Sequence, residues 1–430
     1  MAVSETRVLR VEGMREDTRT PEERAALEAA EAQPLDMSVE RVLDAARADT
    51  GLDDFGVAEF GGDDFTERLG ALIGEVEADD NVWKANKTTF VGQCVQAASN
   101  RLLLRRYWDE HPEVLAVTIE RPVIVIALPR SGSTHLENLV GADRRLRHLP
   151  VYLAAQPAPR PGEDPAPGAA DPRWARADAR WQMMSQNEIL AALHEHSPDH
   201  ACGENELQIP DFASYQWEWM AQVPQFRDHY LSHDQTPHYA YGRDALKAIA
   251  SQFPDDRRWM MKSNQHSEQL GPLLTTYPDA TVVMIHRDPV ATLQSLLTMR
   301  GLMVKQSQKV PDIDGHVEYW VDRIERMLRT YLRDVHLIPA DQRVDLMFSD
   351  IIQDDVAAAS RVLEQAGLPV TDETIADLEA YMASHQRGKQ GRVVYDLEGD
   401  FRLDADDLRR RFAFYTDAVG LAPEIKDGSR

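Results

Sequence analysis

Five consecutive residues, Arg130-Ser131-Gly132-Ser133-Thr134, combine a guanidinium, three hydroxyls and a glycine in one short turn. Such a turn suits the binding of an oxyanion, because backbone N–H groups, hydroxyl donors and a planar cationic fork can converge on it. A second constellation is His286-Arg287-Asp288-Pro289, with Ser295 eight positions after the arginine. On a helix beginning near Pro289, Thr292 and Ser295 share one face, and Arg287 reaches back toward it. Lys262 lies between the two motifs, in Lys262-Ser263-Asn264-Gln265-His266. Near the end of the chain, Arg387-Gly388-Lys389-Gln390-Gly391-Arg392 sets three cations around two glycines, either an anion-clasping loop or a solvated basic one.

A group that takes up a proton is also available. Cys202-Gly203-Glu204-Asn205-Glu206 carries two carboxylates, and His266, His196 and His200 are imidazole candidates. Each histidine has the alternative of being an ordinary core or surface residue. The first turn is not a Walker A loop, which needs G-x-x-x-x-G-K-[ST], since it has a single glycine and no lysine before its hydroxyls.

These residues need elements to position them. Residues 123–128 form an unbroken apolar run rich in β-branched side chains, as expected of a strand buried on both faces. Pro129 ends it, and Leu136, Leu139 and Val140 have the spacing of a helix packed back on a sheet. Residues 259–261, 280–286 and 344–348 read as further strands. Helical spacing covers 289–299, 354–365, 372–384 and 404–418. The alternation of strands and helices predicts an α/β fold, a three-layer, P-loop-like parallel sheet flanked by helices.

Ahead of it, helical patterns over 21–32, 38–48, 65–77 and 83–107 predict an N-terminal helical extension over residues 1–115, preceded by a loose polar segment over 1–20. Residues 156–172 read as a surface loop and 174–194 as a helix. The aromatic stretch 215–226 is either core or the wall of an apolar pocket.

Composition narrows the class. With 430 residues and 43% apolar side chains the chain can bury a large core. A formal charge of −25 argues against nucleic acid and anionic membrane as partners. Two cysteines, a polar beginning and the absence of a spanning apolar run read as a cytoplasmic protein with no transmembrane segment. A homodimer is compatible with this reading. No cluster has metal-ligand spacing, so no metal is expected.

The motifs together resemble those of the sulfotransferases. Pro129-Arg130-Ser131-Gly132-Ser133-Thr134 is similar to the family's 5′-phosphosulfate loop, and Arg287 with Ser295 to its 3′-phosphate motif. The segment 262–266 looks like the family's Lys-Ser/Thr-x-x-His stretch, and 387–391 like the Arg/Lys-Gly-x-x-Gly loop that closes over the 3′-phosphate.

The resemblance covers about residues 120–420, and implies a domain over 116–430 with a helical acceptor-pocket insertion at about 150–255. It implies transfer of a sulfonate from PAPS (3′-phosphoadenylyl sulfate) to a hydroxyl, with PAP as product. Arg130, Ser131, Gly132, Ser133, Thr134, His135, Arg287, Ser295, Arg387, Gly388 and Lys389 would bind the donor. His135 stands where many cytosolic members stack the adenine on a Trp, so how this base is held stays open. Arg130 and Lys262 would face the transferring group. The base would be Glu204 or His266, then Glu206, because Asn205 falls where tyrosylprotein sulfotransferases carry a catalytic Glu. The expected acceptor is a hydroxyl-bearing small molecule or lipid with an apolar body. Two rival readings are a P-loop-type kinase and a non-catalytic nucleotide-binding module.

Overall fold

Five parallel strands carry the residues singled out above. The computed structural model describes residues 7–56, 64–163, 170–385 and 392–424. The chain opens with β1 (Val8–Leu9), then α1 (Pro21–Glu31), α2 (Val39–Thr50), α3 (Phe65–Ala78) and α4 (Lys84–Glu110). The sheet starts at β2 (Val123–Ala127), followed by α5 (Ser133–Val140), β3 (Leu146–His148) and α6 (Val151–Ala155). A helical excursion follows: α7 (Pro172–Met184), α8 (Glu188–Leu193), α9 (Gln216–Met220), α10 (Pro224–Ser232) and α11 (Thr236–Gln252). The chain returns through β4 (Arg258–Ser263), α12 (Leu270–Thr276), β5 (Thr281–His286), α13 (Pro289–Ser307) and α14 (Ile313–Asp334). It ends with β6 (Arg343–Met347), α15 (Phe348–Gln353), α16 (Asp355–Gln365), α17 (Asp372–Ser384), β7 (Arg392–Val393), α18 (Leu397–Phe401) and α19 (Ala405–Val419).

The main sheet has the order β3-β4-β2-β5-β6, every pairing parallel. All five residues of β2 are buried. Ile124 and Ile126 face a core shared with α11, α13 and α14, while Val123, Val125 and Ala127 face one shared with α5 and α16. Alternate residues point to opposite faces and both faces are covered by helices, which is why the strand has no polar position. The register sets Ile126 beside Ser263 and Met284. The segments leaving β2, β4 and β5 therefore emerge side by side at one edge of the sheet, where open α/β sheets bind ligands.

The helical excursion and the N-terminal layer share a core. Phe212, Trp217, Phe226 and Tyr230 pack with Leu69, Leu72, Phe90 and Val91 of α3 and α4. The aromatic stretch is thus mostly core: Trp217 stacks on Phe212 at 5.5 Å, whereas Trp219 reaches a cavity. Buried Asp211 joins the two parts, accepting from Arg68 at 2.9 Å and Arg101 at 2.7 Å and pairing with His238 at 2.6 Å. Among the described residues no helix is long and apolar enough to cross a membrane.

Several boundaries differ from expectation. The helix expected over 174–194 breaks, and Asn187 caps α8 by accepting from the Leu190 N–H at 3.1 Å. Helix α13 continues past 299 to Ser307, and α11, α14 and β3 add to the expected elements, although α14 shows clear helical spacing in Val317, Trp320, Val321, Ile324, Met327, Leu328 and Tyr331. Residues 7–20 are held, not loose. Strand β1 pairs with β7, Val11 and Met14 are buried, and the Arg19 guanidinium donates to the Gln308 carbonyl at 2.9 Å, just beyond the C-terminus of α13.

Candidate active site

The loop after β2 owes its shape to two left-handed residues, Arg130 (φ +68°) and Gly132 (φ +82°). Gly132 suits that region, and a Cβ there would meet the Phe348 ring at 2.9 Å. Arg130 pays a conformational cost of about 1–2 kcal/mol. Its polar groups offset this: the guanidinium donates to the Leu193 carbonyl at 2.6 Å and to Ser295 Oγ at 3.1 Å, and its own carbonyl accepts from Arg287 at 2.6 Å. Burial lowers the Arg130 pKa from its usual value. Loop and second motif therefore meet directly. Ser295 in turn donates to Tyr395 at 3.1 Å. Arg287 lies 3.8 Å from the Phe348 ring centroid and pairs with Glu424.

Helix α5 starts on the loop, so its first N–H groups and positive end face the same edge. Lys262, at the end of β4, donates to Thr134 Oγ1 at 3.2 Å. The Asn264 amide donates to the Ala127 carbonyl at 2.8 Å, pinning this crossing segment to β2. Ser131 Oγ is buried with no partner. His135 pairs with Asp355 at 2.8 Å.

Sequence reasoning missed Glu137. Its carboxyl is fully buried on α5 and neither oxygen has a partner. Burial pushes it up to about 8, against the pull of the Lys262 charge, with Glu204 adding to the rise.

The base candidates separate in space. Glu204 and His266 are both buried and hydrogen-bond to each other, with Tyr239 OH on the other imidazole nitrogen at 2.7 Å. Neither lines the cavity, whereas Glu206 does. Burial raises the Glu206 pKa to about 7, with Arg180 and Lys262 opposing. His196 and His200 also line the cavity and are pushed down by burial, to about 3 and about 4.

The cavity measures about 1340 Å³. Arg130, Gly132, Ser133, Thr134, His135, Lys262, Arg287 and Ser295 line one part of it. The rest includes Trp219, Trp320, Met299 and Met303, with Val76 and Phe90 of the N-terminal layer. Ser131 is not on the lining, and Arg387, Gly388 and Lys389 lie outside the described residues. Among the described residues no three His, Cys, Asp or Glu side chains are grouped to hold a metal ion.

The profile of the sulfotransferase family matches residues 122–372. The chain belongs to the sulfotransferase family. As a member it is a PAPS-dependent transferase, and its matched region holds both anion motifs, Lys262 and the 202–210 segment. No curated protein matches the sequence. Among solved structures, sulfotransferase STF1 from Mycobacterium tuberculosis is similar at 25% identity and a TM-score of 0.74, over 88% of this chain and 98% of that one. Sulfotransferase STF9 from Mycobacterium avium is similar at 22% identity and a TM-score of 0.79, over 92% of this chain and 100% of that one. The second likeness concerns the fold.

Proposed function

We propose that this sulfotransferase transfers a sulfonate from PAPS to the hydroxyl of a small-molecule or lipid acceptor with an apolar body. The observation that carries the reading is the convergence of Arg130, Lys262 and Arg287 with Thr134 and Ser295 on one part of a large cavity whose remaining wall is rich in Trp and Met. The residues fit the donor. The left-handed turn at Gly132, the hydroxyls of Ser133 and Thr134 on the cavity lining and the start of α5 suit an anion.

PAPS supplies an activated sulfonate, and PAP departs with the electron pair of the broken S–O bond. Arg287 and Ser295 are assigned to the 3′-phosphate, Ser131–Thr134 to the 5′-phosphosulfate. Lys262 and Arg130 stabilise the charge that develops on the departing oxygen. We assign the base to Glu206, which lines the cavity and whose raised pKa suits proton uptake near neutral pH. The Glu204–His266 pair lies off the lining and serves to fix the segment that carries Glu206.

Thermal shift with adenosine 3′,5′-bisphosphate, beside ATP with Mg²⁺, tests the donor assignment on wild type and Arg287→Ala. At a hundred times its dissociation constant the bisphosphate should add about 2.7 kcal/mol of stability, lost in the variant. Stabilisation by ATP alone would favour a kinase instead.

A further inference from the structure

Among the described residues six arginines are nine-tenths or more buried, and five of them face carboxylates. Arg68 and Arg101 share Asp211, Arg173 has Asp171, Arg227 has Asp228, and Arg323 lies between Glu218 and Glu268. Arg300 is the exception. Its guanidinium lies 5.8 Å from the ring centroids of both Trp219 and Trp320 and donates to the Trp219 carbonyl, and its Nε–H has no partner. Among the described residues no carboxylate pairs with it. The Glu218 carboxylate acts on it through space, but its hydrogen bonds go to Arg323 and, at 2.6 Å, to the Tyr319 hydroxyl.

A buried charge with no directly bonded carboxylate is costly to keep, and the Glu218 charge and the two indole faces offset only a part of that cost. Burial lowers the Arg300 pKa to about 10, so the group stays cationic at neutral pH. Beside it on the same cavity lining, His316 Nε2 also lacks a partner. Burial and the Arg300 charge hold that imidazole down at about 3.

Arg300 also occupies a telling position. It follows Ser295 by five residues on α13, about 7.5 Å further along the helix axis. It therefore stands beyond the donor motifs, where Trp219, Trp320 and Met299 form the wall.

We propose that Arg300 is an anion-binding residue of the acceptor part of the cavity, so that the acceptor is a hydroxy acid whose carboxylate or phosphate monoester lies against Arg300 while its hydroxyl faces Glu206 and Lys262. The ligand anion supplies the direct ion pair that Arg300 lacks within the described residues, and the apolar body spans the Trp and Met wall between the two ends. The inference rests on the sulfotransferase reading for the placement of the reacting hydroxyl.

The test uses the full chain saturated with adenosine 3′,5′-bisphosphate and follows tryptophan fluorescence, since Trp219 and Trp320 flank the guanidinium. The probes are ω-hydroxy carboxylates of increasing chain length, the matching ω-hydroxyalkyl phosphates, and the neutral methyl esters of the carboxylates. In wild type one acid series should bind at least about tenfold more tightly than the esters. Whichever acid is preferred names the class. Arg300→Gln should erase that preference and Arg300→Lys should keep part of it, with bisphosphate binding unchanged in both.

Equal binding of acids and esters to the wild-type complex, or binding of neither, overturns the proposal while leaving the donor site intact. That comparison needs no variant, so a misfolded Arg300→Gln does not rescue it. Failure of the bisphosphate itself to bind is a separate result and removes the sulfotransferase reading underneath.

Discussion

The Arg287 guanidinium and the Glu424 carboxylate form an ion pair at 3.0 Å at the edge where β5 ends, and the Glu424 N–H donates to Asp288 at 2.9 Å. A carboxylate of the chain thus rests on the arginine assigned to the 3′-phosphate, and an incoming phosphate must replace it. Glu424→Gln removes the competing charge but keeps the backbone bond. Adenosine 3′,5′-bisphosphate should bind more tightly to the variant, by about two- to fivefold, since the pair is partly exposed and worth at most about 1 kcal/mol. Calorimetric titration reads this directly, and a weaker or unchanged affinity would mean that Glu424 does not compete.

Glu206 should impose the pH dependence. With its carboxyl near 7, kcat/KM for any accepted alcohol should rise about tenfold per pH unit below that value and level off above it. Glu206→Gln should lower kcat by about 10²–10⁴-fold while bisphosphate binding is retained. An unshifted acid limb in the variant would return the role of base to the Glu204–His266 pair.

Glu137 makes a prediction about stability. Its folded pKa of about 8 lies above the usual carboxyl value of 4.5, so the folded state holds a proton that the unfolded chain releases. Its contribution is fully present below pH 4.5 and is lost as pH rises through about 8. Glu137→Gln cannot ionise, and should gain on wild type by up to about 1.4 kcal/mol per pH unit across that window. Urea unfolding at stepped pH checks the slope. A stability difference that stays constant with pH would show that the carboxyl is not protonated in the folded protein.

Asp211 is the anion shared by Arg68, Arg101 and His238, all buried. Asp211→Ala removes the buried carboxylate that Arg101 and His238 share with Arg68 and should cost about 3–5 kcal/mol in chemical denaturation. A loss below about 1 kcal/mol would mean that water takes the place of the carboxylate.

The sheet was legible because β2 is apolar throughout and β5 is apolar between Thr281 and His286. The run 123–127 and the run 281–286 are buried along their whole length, and both motifs hang from their ends. Strand β3, Leu146-Arg147-His148, has one fully buried residue and no β-branched side chain, so neither pattern nor propensity marks it. The two anion motifs were readable as spacing, but their contact through Arg130 and Ser295 depends on a 165-residue separation that no local pattern encodes. Choosing among Glu204, Glu206 and His266 required knowing which of them reaches the cavity. Arg300 did leave a trace, a lone cation within Thr298-Met299-Arg300-Gly301-Leu302, and so did Glu137 among Leu136, Leu139 and Val140. A charge set inside a buried helical face marks either a partner elsewhere in the chain or a ligand.

The pairing of β1 with β7 has a consequence for biosynthesis. Residues 8–9 are synthesised well before their partners at 392–393, with the whole sheet in between. Arg19 likewise waits for Gln308. While the sheet and its helices assemble, the segment around β1 stays an unpaired strand with Val11 and Met14 uncovered, and it is stitched down only once residues 392–393 have emerged.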